Sequence, residues 1–230
     1  MTESNHVTGG RRAELADDPH SKNGTSAPPK QHSQPKRTLT PDNFFKTVAN
    51  FVASSPVLAR ALIRPKLSFA LREKIFLGVT SINDCRFCEW GHMHWAMAHG
   101  VPLEEVNQIL RHQIESLEAT NPAEAAAILF GQHYAEQLDQ FAPESIENLR
   151  KYYSDAQVKE ILAYVRFITF TNLSGNTVDA LLGRISGDCK AITFFQGAAG
   201  AALAPVLWAV IVFAKIERKR VTSGVIGITL

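Results

Sequence analysis

Apolar residues recur along most of the chain with the three-to-four-residue spacing of an α-helix. The two clearest stripes run through Phe44, Val48, Phe51 and Val52, and through Leu71, Ile75, Val79 and Ile82. No run alternates apolar and polar residues with the two-residue period of a half-buried β-strand. The pattern therefore predicts an all-α domain, a helical bundle that we place at residues 43–187.

The residues between the stripes predict where one helix of special interest begins and ends. Asn83 and Asp84 interrupt the second stripe, and Asp is a favoured N-cap residue. Gly100 is the residue type that most often follows a helix C-terminus. We therefore predict a helix from Cys85 to about His99, with Asp84 as its cap.

The N-terminal part of the chain differs from this domain. Residues 1–42 are rich in Ser, Thr, Gly, Pro, His and charged residues, and they show no apolar period. Such a segment buries too little apolar surface to offset its chain entropy, so we predict a disordered polar tail. It also lacks the apolar stretch of a signal peptide.

The C-terminal part is more apolar than the rest. Residues 191–214 contain no charged side chain, and as a helix they would extend about 36 Å, enough to cross a hydrocarbon core of about 30 Å. We expect a hydrophobic, transmembrane helix here, followed by a short basic tail at 215–230. The alternative is a buried helix inside an oligomer, because Thr193, Gln196 and many alanines dilute its hydrophobicity.

Composition excludes several classes of function. The chain has 230 residues, of which 45% are hydrophobic and 20% charged, which suits a globular domain with a core. The formal net charge is only +2, and no basic stripe is interleaved with aromatic residues, so nucleic acid is not an expected partner. Three cysteines are too few for a disulfide framework. We find no flavin, nicotinamide or phosphate-binding fingerprint and predict no cofactor.

The residues that carry chemistry concentrate at the start of the predicted helix. Cys85 and Cys88 form a Cys-x-x-Cys pair, and His92 lies one turn beyond Cys88 on the same face. A helix N-terminus favours a thiolate, and an imidazole beside Cys88 can take its proton and lower its pKa. Glu73 on the preceding helix has an apolar setting and needs a buried partner, for which His92 is the candidate.

Two alternatives to thiol chemistry stay open on these residues alone. Cys85, Cys88 and His92 could supply three ligands to a zinc ion, although His99 lies about 16 Å along the helix from Cys88 and cannot complete the set. The domain could also be a helical scaffold without catalysis. A c-type haem is excluded, because Glu89 stands where its histidine would follow the second cysteine.

The complete pattern joins Glu73, eleven further residues, Cys85-x-x-Cys88 and, three residues later, His92. It resembles the signature of the alkylhydroperoxidase D-like branch of the carboxymuconolactone decarboxylase superfamily, and the resemblance extends loosely over residues 43–187. It implies a helical bundle of that type that forms a homo-oligomer. It also implies a thiol-dependent peroxidase or disulfide oxidoreductase, with Cys88 attacking the peroxide, Cys85 resolving it, and Glu73 and His92 relaying protons.

The resemblance also implies the partners. The substrate would be a peroxide, and the reductant an external dithiol or a lipoyl- or thioredoxin-like protein. Because a thiol pair that awaits cellular dithiols suits a reducing compartment, we expect a cytoplasmic domain attached to a membrane through residues 191–214. A superfamily member that processes lactones or other small molecules without peroxidase turnover is one alternative function. A membrane-attached interaction protein is another.

Overall fold

The computed structural model describes residues 36–138, 140–187, 192–205, 208–209 and 212. Within these ranges every regular element is an α-helix, which confirms the predicted all-α bundle. Most of the predicted polar tail, residues 1–35, and the whole basic tail at 215–230 lie outside the described residues.

The helices follow one another with short connections. They are α1 (Pro41–Ile63), α2 (Phe69–Asn83), α3 (Arg86–Ala98), α4 (Leu103–Leu110), α5 (Glu115–Thr120), α6 (Pro122–Gln137), α7 (Pro143–Arg150) and α8 (Asp155–Ile185). Thr40 begins α1 and Ser154 begins α8, each with a capping box in which the residue three positions later completes the reciprocal hydrogen bonds.

Helix α2 lies at the centre of the bundle and packs against α6, α8, α3 and α4. It contributes Ile75, Phe76 and Val79 to one apolar cluster and Leu77 to a second cluster on its other side. A helix that is apolar nearly all round is buried on every face. The one acidic residue of α2, Glu73, is therefore carried into the interior and is fully buried.

The junction between α2 and α3 corrects the predicted cap. Asp84 adopts a left-handed conformation, with φ 52° and ψ 47°, and ends α2 as its C-cap. The N-cap of α3 is Cys85, and α3 begins at Arg86. Asp tolerates the left-handed region better than most residues, so Asp84 turns the chain sharply and the very next residue opens α3. Cys88, not Cys85, consequently lies in the first turn.

Residues 36–40 cross α8 before α1 begins, although the sequence analysis assigned them to a disordered tail. The Leu39 backbone N–H donates to Thr177 Oγ1 at 2.9 Å, and the Leu39 side chain is fully buried. Asn176 Nδ2 donates to the Arg37 carbonyl at 2.9 Å and to the Asn83 carbonyl at 2.7 Å. One side chain of α8 thus joins this segment to the end of α2, two residues before Cys85.

Residues 194–205 are also helical and pack on the bundle. The Phe195 ring meets a phenylalanine ring of α1 edge-on at 5.5 Å, and Gln196 Nε2 donates to Thr38 Oγ1 at 2.7 Å. A Cβ on Gly200 would lie only 3.1 Å from atoms of α8. The small residues that dilute the hydrophobicity of this segment therefore allow it to approach α8 closely.

The transmembrane helix predicted over residues 191–214 is not found. In the part of the chain that the structure describes, no helix combines the length and the apolar character that a membrane crossing requires. In this segment residues 194–205, 208–209 and 212 are described as helical, and residues 191, 206–207, 210–211 and 213–214 lie outside the described ranges.

The contact of α2 with α6 gives a first prediction. A Cβ on Gly78 would lie 2.9 Å from Ile128 Cγ2 and 3.4 Å from the Ile128 carbonyl oxygen. We expect Gly78→Ala to lower the free energy of unfolding by about 1–3 kcal/mol through overpacking. Gly91→Ala is the control, because the nearest atom to its new Cβ is 4.0 Å away and alanine favours the helix. Urea denaturation measures both, and equal midpoints for the two variants would contradict the packing argument.

Candidate active site

The cysteine pair lies at the N-terminus of α3 and faces α8. Cys85 is fully buried, Cys88 is half-buried, and both thiols are free. A Cβ on Gly175 of α8 would lie 2.9 Å from Cys85 Sγ and 3.7 Å from Cys88 Sγ. Both sulfur atoms therefore converge on one position of α8, and only a residue without a side chain leaves room for them.

The two thiols differ in acidity. Hydrogen bonding from the Cys88 thiol lowers the pKa of Cys85 and, with the backbone N–H groups of Phe87 and Cys88 and the charge of Lys36, outweighs burial. The same contact with Cys85, reinforced by burial, raises the pKa of Cys88 well above its usual value. Cys85 is therefore the more acidic of the two thiols, although it is fully buried. This corrects the expectation that the pKa of Cys88 is lowered.

Glu73 and His92 are in direct contact, which confirms the partner expected for the buried carboxylate. Glu73 Oε2 lies 2.7 Å from His92 Nδ1, and both side chains are buried. The rings of Phe76 and Trp95 meet the imidazole at angles of 69° and 66°, with centroid distances of 4.9 and 5.3 Å. The imidazole is therefore enclosed by apolar rings and held in one orientation.

The contacts of Glu73 determine which nitrogen of His92 carries a hydrogen. Burial raises the pKa of Glu73, but the hydrogen bond and charge of His92, together with Arg72, outweigh it and leave the pKa below its usual value. An ionised carboxylate only accepts hydrogen bonds, so Nδ1 of His92 must donate. In the neutral imidazole the lone pair is then on Nε2, which is the tautomer of a general base.

The structure does not join His92 to the thiols directly. Between the described residues, no hydrogen bond engages His92 Nε2, and Cys88 interacts instead with Cys85. Cys88 and His92 nevertheless share one face of α3, because they are four residues apart. Catalytic hydrogen bonds are often long before the substrate binds. The candidate site therefore consists of a thiol pair at the N-terminus of α3, packed against α8, and of a pair formed by Glu73 of α2 and His92 of α3.

The sequence analysis did not identify Arg72, which contacts Glu73 directly. Arg72 Nε and Nη2 donate to Glu73 Oε1 at 3.0 and 2.7 Å. Its guanidinium lies 3.5 Å above the ring centroid of Phe69. The signal was present in the sequence as an arginine beside a buried carboxylate with an aromatic residue three positions earlier, a spacing that brings side chains together on a helix.

Two further residues that are distant in the sequence contribute to the environment of the thiols. Asp179 on α8 pairs with Arg86, and its Oδ2 lies 3.0 Å from Lys36 Nζ. Lys36 is thereby held where its charge helps to lower the pKa of Cys85. Lys36 and Gly175 stand 49 and 90 residues from Cys85 in sequence, and no local pattern connects them with the motif.

The zinc alternative raised by the cysteine and histidine spacing has no ligand set in the described residues. There, no group of three or more His, Cys, Asp or Glu side chains is arranged so that it could hold a metal ion. The Nδ1 atom of His92 is occupied by Glu73.

The buried carboxylate gives a second prediction. Because the folded pKa of Glu73 is below its ordinary value of 4.5, its ionisation stabilises the fold above about pH 4.5, and this stability is lost as the pH falls through the folded pKa. The difference in unfolding free energy between wild type and Glu73→Gln should therefore shrink towards acid, by at most about 1.4 kcal/mol per pH unit. Urea denaturation from pH 7 to pH 3 measures it. Glu147→Gln, at an exposed position of α7, is the control. If the difference in unfolding free energy between wild type and Glu73→Gln stays constant from pH 7 to pH 3, the prediction is contradicted.

Comparison with known proteins agrees with this arrangement. The model of the carboxymuconolactone decarboxylase family matches residues 56–131, which run from the second half of α1 into α6 and include Glu73, Cys85, Cys88 and His92. No curated protein and no solved structure gives a significant match. Over the helices that hold the candidate site, the chain is therefore similar to the carboxymuconolactone decarboxylase family.

Proposed function

We propose that this protein is a thiol-dependent peroxidase or disulfide oxidoreductase of the alkylhydroperoxidase D-like type. The observation that carries the proposal is the convergence of two free thiols on Gly175, beside a preformed Glu73–His92 base. Two sulfur atoms at one point of the structure can alternate between a dithiol and a disulfide with little movement. A Glu–His pair can move the protons that this alternation requires.

Access and charge assign the roles of the two thiols. Cys88 is half-buried, whereas Cys85 has no exposed surface, so Cys88 is the thiol that a peroxide from solvent reaches first. The pKa of Cys88 is the higher of the two, so this thiol must lose its proton before it reacts. Transfer of that proton to His92 Nε2 produces the attacking thiolate.

The first chemical step oxidises Cys88. Its thiolate attacks the terminal oxygen of a hydroperoxide, so that a sulfur–oxygen bond forms and the oxygen–oxygen bond breaks. The sulfur is oxidised to a sulfenic acid, and the peroxide is reduced to an alkoxide. His92, protonated in the preceding step and stabilised by Glu73, returns a proton to the alkoxide, which leaves as the alcohol.

The second step closes the disulfide. Cys85 gives its proton to the Glu–His pair and attacks the Cys88 sulfenic sulfur as a thiolate, and the hydroxide leaves as water with that proton. An external dithiol, or a lipoyl- or thioredoxin-like protein, then reduces the disulfide by two thiol–disulfide exchanges and is itself oxidised to a disulfide. Cys88 is the sulfur that this reductant attacks, because it is the one with exposed surface.

A homo-oligomer belongs to the same proposal. Helix α1 exposes four large apolar side chains, at 76% for Phe45, 58% for Val52, 81% for Leu62 and 80% for Ile63. Exposed apolar residues on one element support association with another surface, and a second copy of the chain is the occupant that the resemblance implies.

Cysteine variants test the proposed cycle. Cys88→Ser should abolish peroxide consumption, because the attacking sulfur is lost. Cys85→Ser should form one sulfenic acid at Cys88 but fail to turn over with a dithiol. Consumption kinetics with several dithiols, and mass spectrometry after one equivalent of peroxide, measure both effects.

Cys189→Ser is the control and should keep activity. Peroxide consumption with the pair still reduced would refute the cycle, and inactivity of the wild type with every peroxide would favour the lactone-processing alternative.

The base can be tested separately from turnover. In a Cys85→Ser, Cys189→Ser background, the pH dependence of iodoacetamide alkylation reports the ionisation of Cys88 without its partner thiol. Adding His92→Ala or Glu73→Ala should move the midpoint to higher pH by about one unit, which is roughly tenfold slower alkylation at pH 7. Midpoints that coincide in all three proteins would remove both residues from the mechanism.

A further inference from the structure

Arg72 is fixed on several sides, which is unusual for an arginine beside the surface of a bundle. Its guanidinium stacks on Phe69 at 3.5 Å, and the ring of His99 stacks on Phe69 at 4.1 Å with an interplanar angle of 16°. Two groups this close to one ring must lie on its opposite faces. Phe69 is therefore held between His99 and Arg72, and the guanidinium in turn is held against Glu73.

The far side of Arg72 meets a second buried carboxylate through a tyrosine. Tyr164 Oη donates to Glu160 Oε1 at 3.2 Å, and Glu160 also accepts from the backbone N–H groups of Lys66 and Leu67 at 3.0 and 3.2 Å. The Tyr164 hydrogen is committed to Glu160. Burial and Glu160 raise the pKa of Tyr164, whereas the charge of Arg72 acts on the Tyr164 hydroxyl and lowers it. Tyr164 and Glu160 are both buried in α8.

These contacts form one continuous chain of polar groups from α8 to α3. Its order is Glu160, Tyr164, Arg72, Glu73 and His92, and every donor in it points towards a carboxylate or towards Tyr164. An arginine does not release its proton in proteins. Arg72 therefore interrupts any transfer of protons along the chain, and its contribution must be charge and orientation.

We infer that Arg72 is a positioning residue that keeps Glu73 ionised and directs its free oxygen to His92, and that Tyr164 and Glu160 hold Arg72 in place. The inference rests on the proposed function, because His92 matters only as the base of the thiol site. Arg72 occupies Glu73 Oε1 with two N–H groups, which leaves Oε2 for His92 Nδ1. Through this arrangement Arg72 acts on the thiol without touching it.

The tautomer of His92 is the physical link between Arg72 and the thiol site. Without Arg72, one of the two groups that oppose the effect of burial is lost, so the pKa of Glu73 rises and its protonated form becomes more accessible. A protonated carboxyl group can donate to His92 Nδ1, which would move the imidazole hydrogen to Nε2. The nitrogen that faces the thiol side would then be unable to accept a proton. One missing guanidinium would thus disable the base while leaving both of its side chains in place.

The charged and titratable groups around this site are few. Glu73 faces Arg72 on its own helix and His92 on α3. Arg72 faces Tyr164 on α8 and, through it, Glu160. The thiols face each other and Lys36, and Lys36 is held by Asp179, which also pairs with Arg86. A pH-dependent effect of an Arg72 variant on Cys88 must therefore pass through Glu73 and His92.

The test compares two buried cations of α2. Arg72→Gln removes the guanidinium, and Lys74→Gln is the matched control, because Lys74 pairs with Glu105 and Glu124 at 2.7 and 2.5 Å on another face of the helix. In the Cys85→Ser, Cys189→Ser background, Arg72→Gln should slow alkylation of Cys88 about tenfold at pH 7 and raise its midpoint by about one pH unit. Lys74→Gln should leave the midpoint unchanged although it also breaks buried ion pairs.

Further measurements separate positioning from structural support. Arg72→Lys keeps the charge without the two-fold contact to Oε1 and should restore part of the rate. Tyr164→Phe should shift the midpoint in the same direction by a smaller amount, and it carries the test if Arg72→Gln does not fold. Histidine ¹⁵N NMR at pH 7 should show the hydrogen of His92 on Nδ1 in the background protein and on Nε2 in Arg72→Gln.

The outcomes distinguish this inference from the proposed function. A midpoint that moves with His92→Ala but not with Arg72→Gln or Tyr164→Phe overturns the role of Arg72 and leaves the thiol mechanism intact. Equal shifts in Arg72→Gln and Lys74→Gln also overturn it, because they would report general loss of structure. If none of these variants shifts the midpoint, both the relay and the role of Arg72 are overturned.

Discussion

The burial of a charged carboxylate at Glu73 is the constraint on which the rest of the site depends. An ionised carboxylate away from water is very unfavourable unless cations and hydrogen bonds surround it. Helix α2 is apolar on nearly every face, so packing it at the centre of the bundle places Glu73 inside. Arg72 and His92 must then supply its hydrogen bonds. The apolar surface that builds the core thereby also fixes the orientation and protonation of the candidate base.

A second constraint acts at the junction of α2 and α3. The left-handed Asp84 turns the chain within one residue, which makes Cys85 the N-cap of α3 and directs its sulfur inward. Gly175 then admits both sulfurs beside α8. A side chain at that position would displace Cys85, so the distance between the sulfurs depends on a residue missing from the motif. Helix packing and redox geometry are set by the same contacts.

The sequence alone predicted what depends on helical period. The all-α class and the burial of Glu73 follow from spacings of three, four and seven residues, which one helix already defines. The contact of Glu73 with His92 joins two helices and was expected because a buried carboxylate needs a partner. The cap at Asp84 was wrong, because helix-ending and helix-starting signals coincide at that residue. Gly175 and Lys36 could not be found, since their proximity to Cys85 is set by tertiary packing. The expected membrane helix is not found in the described part of residues 191–214, where Gly200 lies close to α8.

The thiol pair separates two properties that a reactive cysteine needs. The lower pKa belongs to Cys85, which has no exposed surface, and the exposed surface belongs to Cys88, whose pKa is raised. A thiolate enclosed by protein is protected from bulky oxidants, and an accessible thiol that keeps its proton is a poor nucleophile. In the proposed cycle the proton of Cys88 must therefore leave first, towards His92. In that proposal the ease of this proton movement, which Glu73 and Arg72 would influence from the neighbouring helix, governs how readily the pair reacts.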